Sequence, residues 1–182
     1  MAWSLVFFIL RCFYLMLPSY FANMAPVIVK KINLFRQPLD FGKKLGSRPV
    51  FGKNKTFRGF VFGIAFAVIV AYAQFLLYGI GVFKSISFVD YRGWLFFGIL
   101  SGTGALTGDL AKSFFKRRLG IKPGEKFVPF DQTDFILGSF LFIAPFFKID
   151  IKIFLTSLVL SFLLHIIVNH AAYYLGIRQE KW

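Results

Sequence analysis

Apolar residues fall in long runs along this chain, and most runs lack the polar stripe of a water-facing helix. Met1–Val29 is the first, interrupted by Arg11 and Pro18. Phe60–Val82 is the second. Gly93–Thr107 opens a third, which continues as helix to about Phe115. Asp134–Phe147 is shorter, and Ile153–Tyr174 closes the series. A hydrocarbon core of about 30 Å takes roughly 20 apolar residues as helix. The pattern predicts an all-α, polytopic integral membrane protein with five transmembrane helices, at about 1–29, 60–82, 93–115, 134–147 and 153–174. All five belong to a single membrane-embedded domain covering 1–182. Pro18 predicts a kink in the first helix or its early end. The fourth run is short for a full crossing unless it reaches the interface or faces protein.

A signal peptide does not fit the first run. It is too long for an apolar core region, has no basic start and shows no small-residue cleavage site. Cys12 is the one cysteine, so neither an internal disulfide nor a thiolate metal site is available.

Charge orients the spans. The loop Lys30–Thr56 carries eight basic residues, and Leu110–Thr133 adds six. With Arg178 and Lys181 of the tail, sixteen cations fall on one side and four, Lys84, Arg92, Lys148 and Lys152, on the other. The positive-inside bias then predicts a multi-pass cell-membrane protein with an external N-terminus. The loops 30–56 and 116–133 and the C-terminus then face the cytoplasm in this reading. The net charge of +14 raises nucleic acid as a partner. No recognition helix or stacking module accompanies it, and a cationic face against anionic lipid accounts for much of the excess.

Topology does not explain the acids. Eight residues are Asp or Glu, and four of them lie within Gly108–Asp134 beside six cations. Asp131 and Asp134 are three apart, so one helical turn brings their carboxylates to one face. Asp134 starts the fourth span in this reading, and Asp109 lies near the cytoplasmic end of the third. Asp109, Asp131 and Asp134 among cations suit Mg²⁺ carrying a polyphosphate, because Mg²⁺ takes oxygen ligands and keeps substrate phosphate. Helix caps and interfacial ion pairs are the plainer account of each acid alone.

Lys55, Thr56 and Arg58 offer two charges and a hydroxyl between Gly52 and Gly59, without the Gly-rich lead of a P-loop. Asp40, in the turn-prone Pro38–Gly42 patch, is either a further metal ligand or a partner of Lys43. Gly98, Gly102, Gly104 and Gly108 predict close helix packing or room for a lipid tail. His165 and Asn169 share a face and predict an interhelical hydrogen bond.

Several stretches together resemble the CDP-archaeol synthases. They are Leu17-Pro-Ser-Tyr-Phe-Ala-Asn23, Pro38-Leu-Asp-Phe-Gly42, Lys55-Thr-Phe-Arg-Gly59, Gly108-Asp109, Ser113–Gly124, Asp131-Gln-Thr-Asp134 and the ending around Asn169–Gly176. The resemblance covers nearly the whole chain in order. Ser113, Lys116, Arg117, Asp131 and Asp134 also match the signature of the broader CDP-diacylglycerol synthase family. The chain departs from that signature at Pro123 and Gln132, where the broader family has Asp and Arg, and it lacks the preceding His-Gly-Gly. Lys53-Asn54 stands where archaeol-type enzymes often carry Asp-Gly.

The resemblance implies a cytidylyltransferase. It would join CTP to a prenylated glycerol-phosphate lipid, digeranylgeranylglyceryl phosphate, and release CDP-lipid and pyrophosphate. Asp109, Asp131 and Asp134 are then the catalytic metal ligands, and Lys116 and Arg117 hold the CTP phosphates with Lys112 or Lys122 in support. Lys55 and Arg58, with Thr56, take the lipid phosphate or the outer CTP phosphates, and Ser113 and Asn23 donate hydrogen bonds. Phosphatidic acid as the lipid and an anionic-lipid transporter are the rival readings. The pattern leaves the oligomeric state open.

Overall fold

The computed structural model describes residues 2–122, 125–174 and 176. Pro123, Gly124 and Leu175 of the matched stretches lie outside them, as does the tail with Arg178 and Lys181. The described residues form six α-helices: α1 Ala2–Ile28, α2 Phe57–Tyr78, α3 Gly81–Ile86, α4 Trp94–Arg118, α5 Phe130–Ile143 and α6 Ile151–Tyr174. A two-stranded antiparallel hairpin, β1 Lys44–Leu45 and β2 Arg48–Pro49, stands in the loop between α1 and α2. Each of the five apolar runs is thus a helix. Three of these helices, α1, α2 and α6, are long and apolar enough to cross a membrane. Charge enters the C-terminal end of α4, and the 14 residues of α5 reach only about 21 Å. These two are the helices that carry the acids.

Pro18 neither stops α1 nor ends it early, because α1 runs through both Pro18 and Pro26. A proline lacks the N–H that would bond the carbonyl four residues back, here that of Tyr14. Gln74 of α2 replaces it: its buried Nε2 donates to Tyr14 O at 2.6 Å. A neighbouring helix supplies the missing donor, as a chain in hydrocarbon requires.

Glycines set the distances between helices. A methyl group at Gly98 or Gly102 of α4 would press on the backbone of α2, 2.8 Å from Val68 Cα in the first case and 3.0 Å from Ile64 Cα in the second. On the opposite side, a Cβ at Gly104 would lie 2.6 Å from Gly138 O, and one at Gly108 would lie 2.1 Å from Asp134 O. Backbone therefore meets backbone where α4 crosses α5, the arrangement that small residues allow in membrane helices. Close packing accounts for all four glycines, and Gly108 also borders an apolar groove. His165 and Asn169 meet along their own helix, with Asn169 Nδ2 3.2 Å from His165 Nδ1.

The loop between α1 and α2 is folded back on the helix ends. Leu39 N donates to Lys55 O at 2.8 Å and Phe57 N to Gln37 O at 3.0 Å. Asp40 is its organiser. Its carboxylate accepts from Gly42 N, Phe51 N and Gly52 N, each at 2.9 Å. Burial pushes the Asp40 pKa up, but the backbone donors outweigh it and hold the group below the ordinary carboxylate value. These bonds place Asp40 inside the loop rather than against Lys43.

Candidate active site

The close contact of α4 and α5 brings three carboxylates around one ammonium. Lys112 Nζ lies 3.1 Å from Asp109 Oδ1, 3.2 Å from Asp131 Oδ1 and 2.8 Å from Asp134 Oδ2. Lys55, from the loop before α2, bonds the other Asp109 oxygen. Lys116 Nζ reaches both Asp131 oxygens at 3.1 Å. Asp109, Lys112 and Lys116 follow one another at helical spacings of three and four, so one face of α4 carries them all.

Helix α5 begins at Phe130, four residues before the expected start of the span. Asp134 therefore sits one turn inside the helix and is no N-cap. It is buried, and although its Oδ2 lies near the Lys112 ammonium it lacks an aligned hydrogen-bond donor. Asp131 lies in the first turn, where the helix dipole favours negative charge, and accepts from Phe127 N at 2.6 Å.

Two cavities meet at this cluster. One is a polar cleft of about 150 Å³ between the loop and α4, lined by Lys53, Lys55, Lys112, Ser113, Lys116, Arg117 and Asp131 among others. Arg117 is buried there, and its Nε has no acceptor among the described residues. With Lys55, Lys112 and Lys116 matched by the three carboxylates, Arg117 and Lys53 leave the cleft with an excess of positive charge. The other is an apolar groove of about 710 Å³ between α4, α5 and the start of α6. Its walls include Gly108, Ala111, Phe115, Leu137 and Phe154, and its polar end is formed by Lys112 and Asp134.

The structure thus gathers Lys55, Asp109, Lys112, Ser113, Lys116, Arg117, Asp131 and Asp134. The remaining candidates line neither cavity, although Thr56 shares a smaller pocket with Lys55 and Asp109. Thr56 caps α2, its hydroxyl accepting from Gly59 N at 3.2 Å. Arg58 turns to the carbonyl of Ile32. Asn23 is half-buried on α1. Lys122 is exposed, with its backbone N–H bonded to Glu125 Oε2 at 2.7 Å.

Arg48 and Arg118 are positioning residues that the sequence offers only as two cations among many. Arg118 donates to Leu45 O at 2.7 Å and Pro49 O at 2.6 Å, and Arg48 donates to Arg117 O at 3.2 Å. Each arginine grips the other's element through carbonyls, fastening the hairpin to the end of α4.

A bundle of apolar helices with a charged, two-sided site at one end is built as an intramembrane enzyme. Known proteins of that class match it. Residues 5–182 fit the family model described as CarS-like, CDP-archaeol synthase. The chain belongs to the CDP-archaeol synthase family. It is 34% identical to the CDP-archaeol synthase of Pyrobaculum islandicum over 175 residues, covering 96% of this chain and 99% of that one. The enzyme of Methanoculleus marisnigri is 37% identical over 174 residues, 92% of this chain and all of its own. A solved intramembrane enzyme for archaeal membrane lipid biosynthesis superposes with a TM-score of 0.66 at 32% identity, covering 86% of this chain and 90% of its own.

Proposed function

We propose that the protein transfers the cytidylyl group of CTP to the phosphate of digeranylgeranylglyceryl phosphate, giving the CDP-lipid and pyrophosphate. The observation that carries this reading is the meeting of a cationic cleft and an apolar groove at Lys112. A nucleotide triphosphate suits the first and two hydrocarbon tails suit the second. Their phosphates then face each other across one ammonium group. The charged end of the bundle faces the cytoplasm, where the nucleotide is.

In this reaction a lipid phosphate oxygen attacks the α-phosphorus of CTP, and the bond to the pyrophosphate oxygen breaks. The nucleophile is already ionised, so no side chain has to remove a proton. Repulsion between two anions is the barrier that the site must lower. Lys116 and Arg117 neutralise CTP oxygens from α4, and Lys55 does so from the loop. Ser113 donates from the same face of α4. Lys112 stands between the cavities and serves both reactants. The groove keeps the tails fixed and water away from the lipid phosphate, which supplies orientation.

The carboxylates fit Mg²⁺ by donor chemistry, since three of them already share one cation through oxygens alone. Among the described residues no cluster closes tightly enough to hold a metal unaided. Asp109, Asp131 and Asp134 would therefore hold Mg²⁺ together with substrate phosphate, and the ion would supply charge neutralisation of the leaving group.

The test is pyrophosphate release from CTP by purified protein with Mg²⁺, with digeranylgeranylglyceryl phosphate and diacyl phosphatidic acid offered separately. Release with the prenyl ether lipid is the expected result. Preference for phosphatidic acid would reassign the lipid, and no turnover with either by folded protein would overturn the reading.

A further inference from the structure

The loop between α1 and α2 carries a feature that the reaction does not use. Leu34, Phe35, Phe41 and Leu45 expose 58%, 54%, 68% and 56% of their surface. All lie on polar loop structure rather than on a membrane-crossing helix. Single exposed apolar residues are ordinary, but four within twelve positions of one loop form a surface.

The backbone there is also unusual. Phe35 and Phe41 adopt φ of 51° and 50°. Bulky residues rarely enter this left-handed region, and such strain persists only where surrounding structure enforces it. The enforcement is visible: Arg58 N bonds Phe35 O at 2.7 Å, and Phe41 N bonds Pro38 O at 3.0 Å. The Phe41 ring also packs on Phe57, the first residue of α2, with centroids 5.2 Å apart. Both aromatics are thereby held beside the first turn of α2.

Charge completes the pattern. Lys30, Lys31, Arg36, Lys43 and Lys44 are exposed around these side chains. Asp40 is the one acid between Lys30 and Lys55, and its charge is committed to three backbone N–H groups. The loop thus presents apolar tips among cations with no opposing charge of its own, the chemistry of a segment that binds an anionic membrane surface.

We propose that the loop docks on the membrane it emerges from, with Phe35 and Phe41 inserted at headgroup level and the surrounding lysines bound to anionic lipid. Docking would fix the outer wall of the cleft, Phe51–Lys55, close to the lipid surface. The inference rests on the chain's place in a bilayer and is independent of which nucleotide or lipid reacts.

The experiment labels full-length Phe41→Cys protein with an environment-sensitive fluorophore in nanodiscs, without substrate. Cys12 is fully buried and stays unlabelled. Phosphatidylglycerol discs are compared with phosphatidylcholine discs, each with and without a lipid bearing a nitroxide near its headgroup. Blue-shifted emission and stronger nitroxide quenching in phosphatidylglycerol are expected. The companion substitutions Lys43→Gln and Lys44→Gln should each weaken the docking equilibrium by about fivefold, read as quenching lost. Aqueous emission without quenching in both membranes would overturn the proposal. So would emission that responds to added RNA and not to lipid charge.

Discussion

Gln74 donates its amide hydrogen to the carbonyl of Tyr14 that Pro18 leaves without a donor. Replacing Gln74 with Leu keeps the volume and strands that carbonyl inside the bundle. The expected cost is about 1–3 kcal/mol. It should appear as a lower thermal midpoint in detergent and a bend at Pro18, with the affinities for both substrates retained.

The crossing of α4 and α5 predicts a sharper effect. Gly138→Ala would put a methyl group 2.2 Å from Gly104 O, and backbone would have to give way. Overpacking of this kind costs about 1–3 kcal/mol. Separation of the helices should also draw Asp134 from Lys112, so turnover should fall further than stability does. Gly79→Ala, which meets nothing within 4 Å, is the matched control. Thermal midpoints and turnover of the two variants check this.

The Arg48–Arg118 clasp holds a wall of the cleft without touching its interior. Arg118→Ala should raise the KM for CTP by about tenfold, roughly 1.4 kcal/mol, with kcat less affected. Arg118→Lys should recover little, because one ammonium cannot span the carbonyls of Leu45 and Pro49 as the planar guanidinium does. A role confined to stability would shift the thermal midpoint and leave the KM unchanged. Steady-state kinetics with CTP varied, beside a melting curve, separates these.

Ala111 is exposed on the groove wall. Ala111→Trp should fill space that the proposed reaction gives to the lipid tails and raise the KM for the lipid by about tenfold. The KM for CTP should not move, since Ala111 does not line the cleft. Kinetics with each substrate varied in turn decides it.

Asp40 gives the loop a pH dependence of known sign. Its folded pKa is held below the ordinary value of about 3.9, so its stabilisation is fully present above that value. It is lost as pH falls through the lower folded pKa. Asp40→Asn should expose Phe51–Lys55 to protease at neutral pH. The difference from the unsubstituted protein should vanish at strongly acidic pH, as measured by limited proteolysis with an acid-active protease.

Much of this was legible in the sequence, and the remainder failed for physical reasons. Each apolar run became a helix because hydrophobic length alone suffices for that. Asp131 and Asp134, which both meet Lys112, could be placed on one face from their spacing. The effect of Pro18 could not, because the compensating donor is sixty residues away on α2. Thr56 and Arg58 have the composition of a phosphate site, and nothing local foretells that the Thr56 hydroxyl caps α2 or that Arg58 reaches the carbonyl of Ile32. Arg48 was one cation among many, since nothing local marks a side chain that bonds carbonyls 69 residues on. For Asp40, the Pro38–Gly42 turn signal indicated a bend without revealing that Phe51 and Gly52 complete it.

The joint between α4 and α5 has no side chain in it at Gly104, Gly108 and Gly138. A joint made of main chain has no rotamers to change, and so it cannot loosen in small steps. The helices that carry the charged cluster form a fixed anvil. The spacing of the two backbones beneath the cluster is set by main-chain contact, and any side chain added at those glycines would widen it.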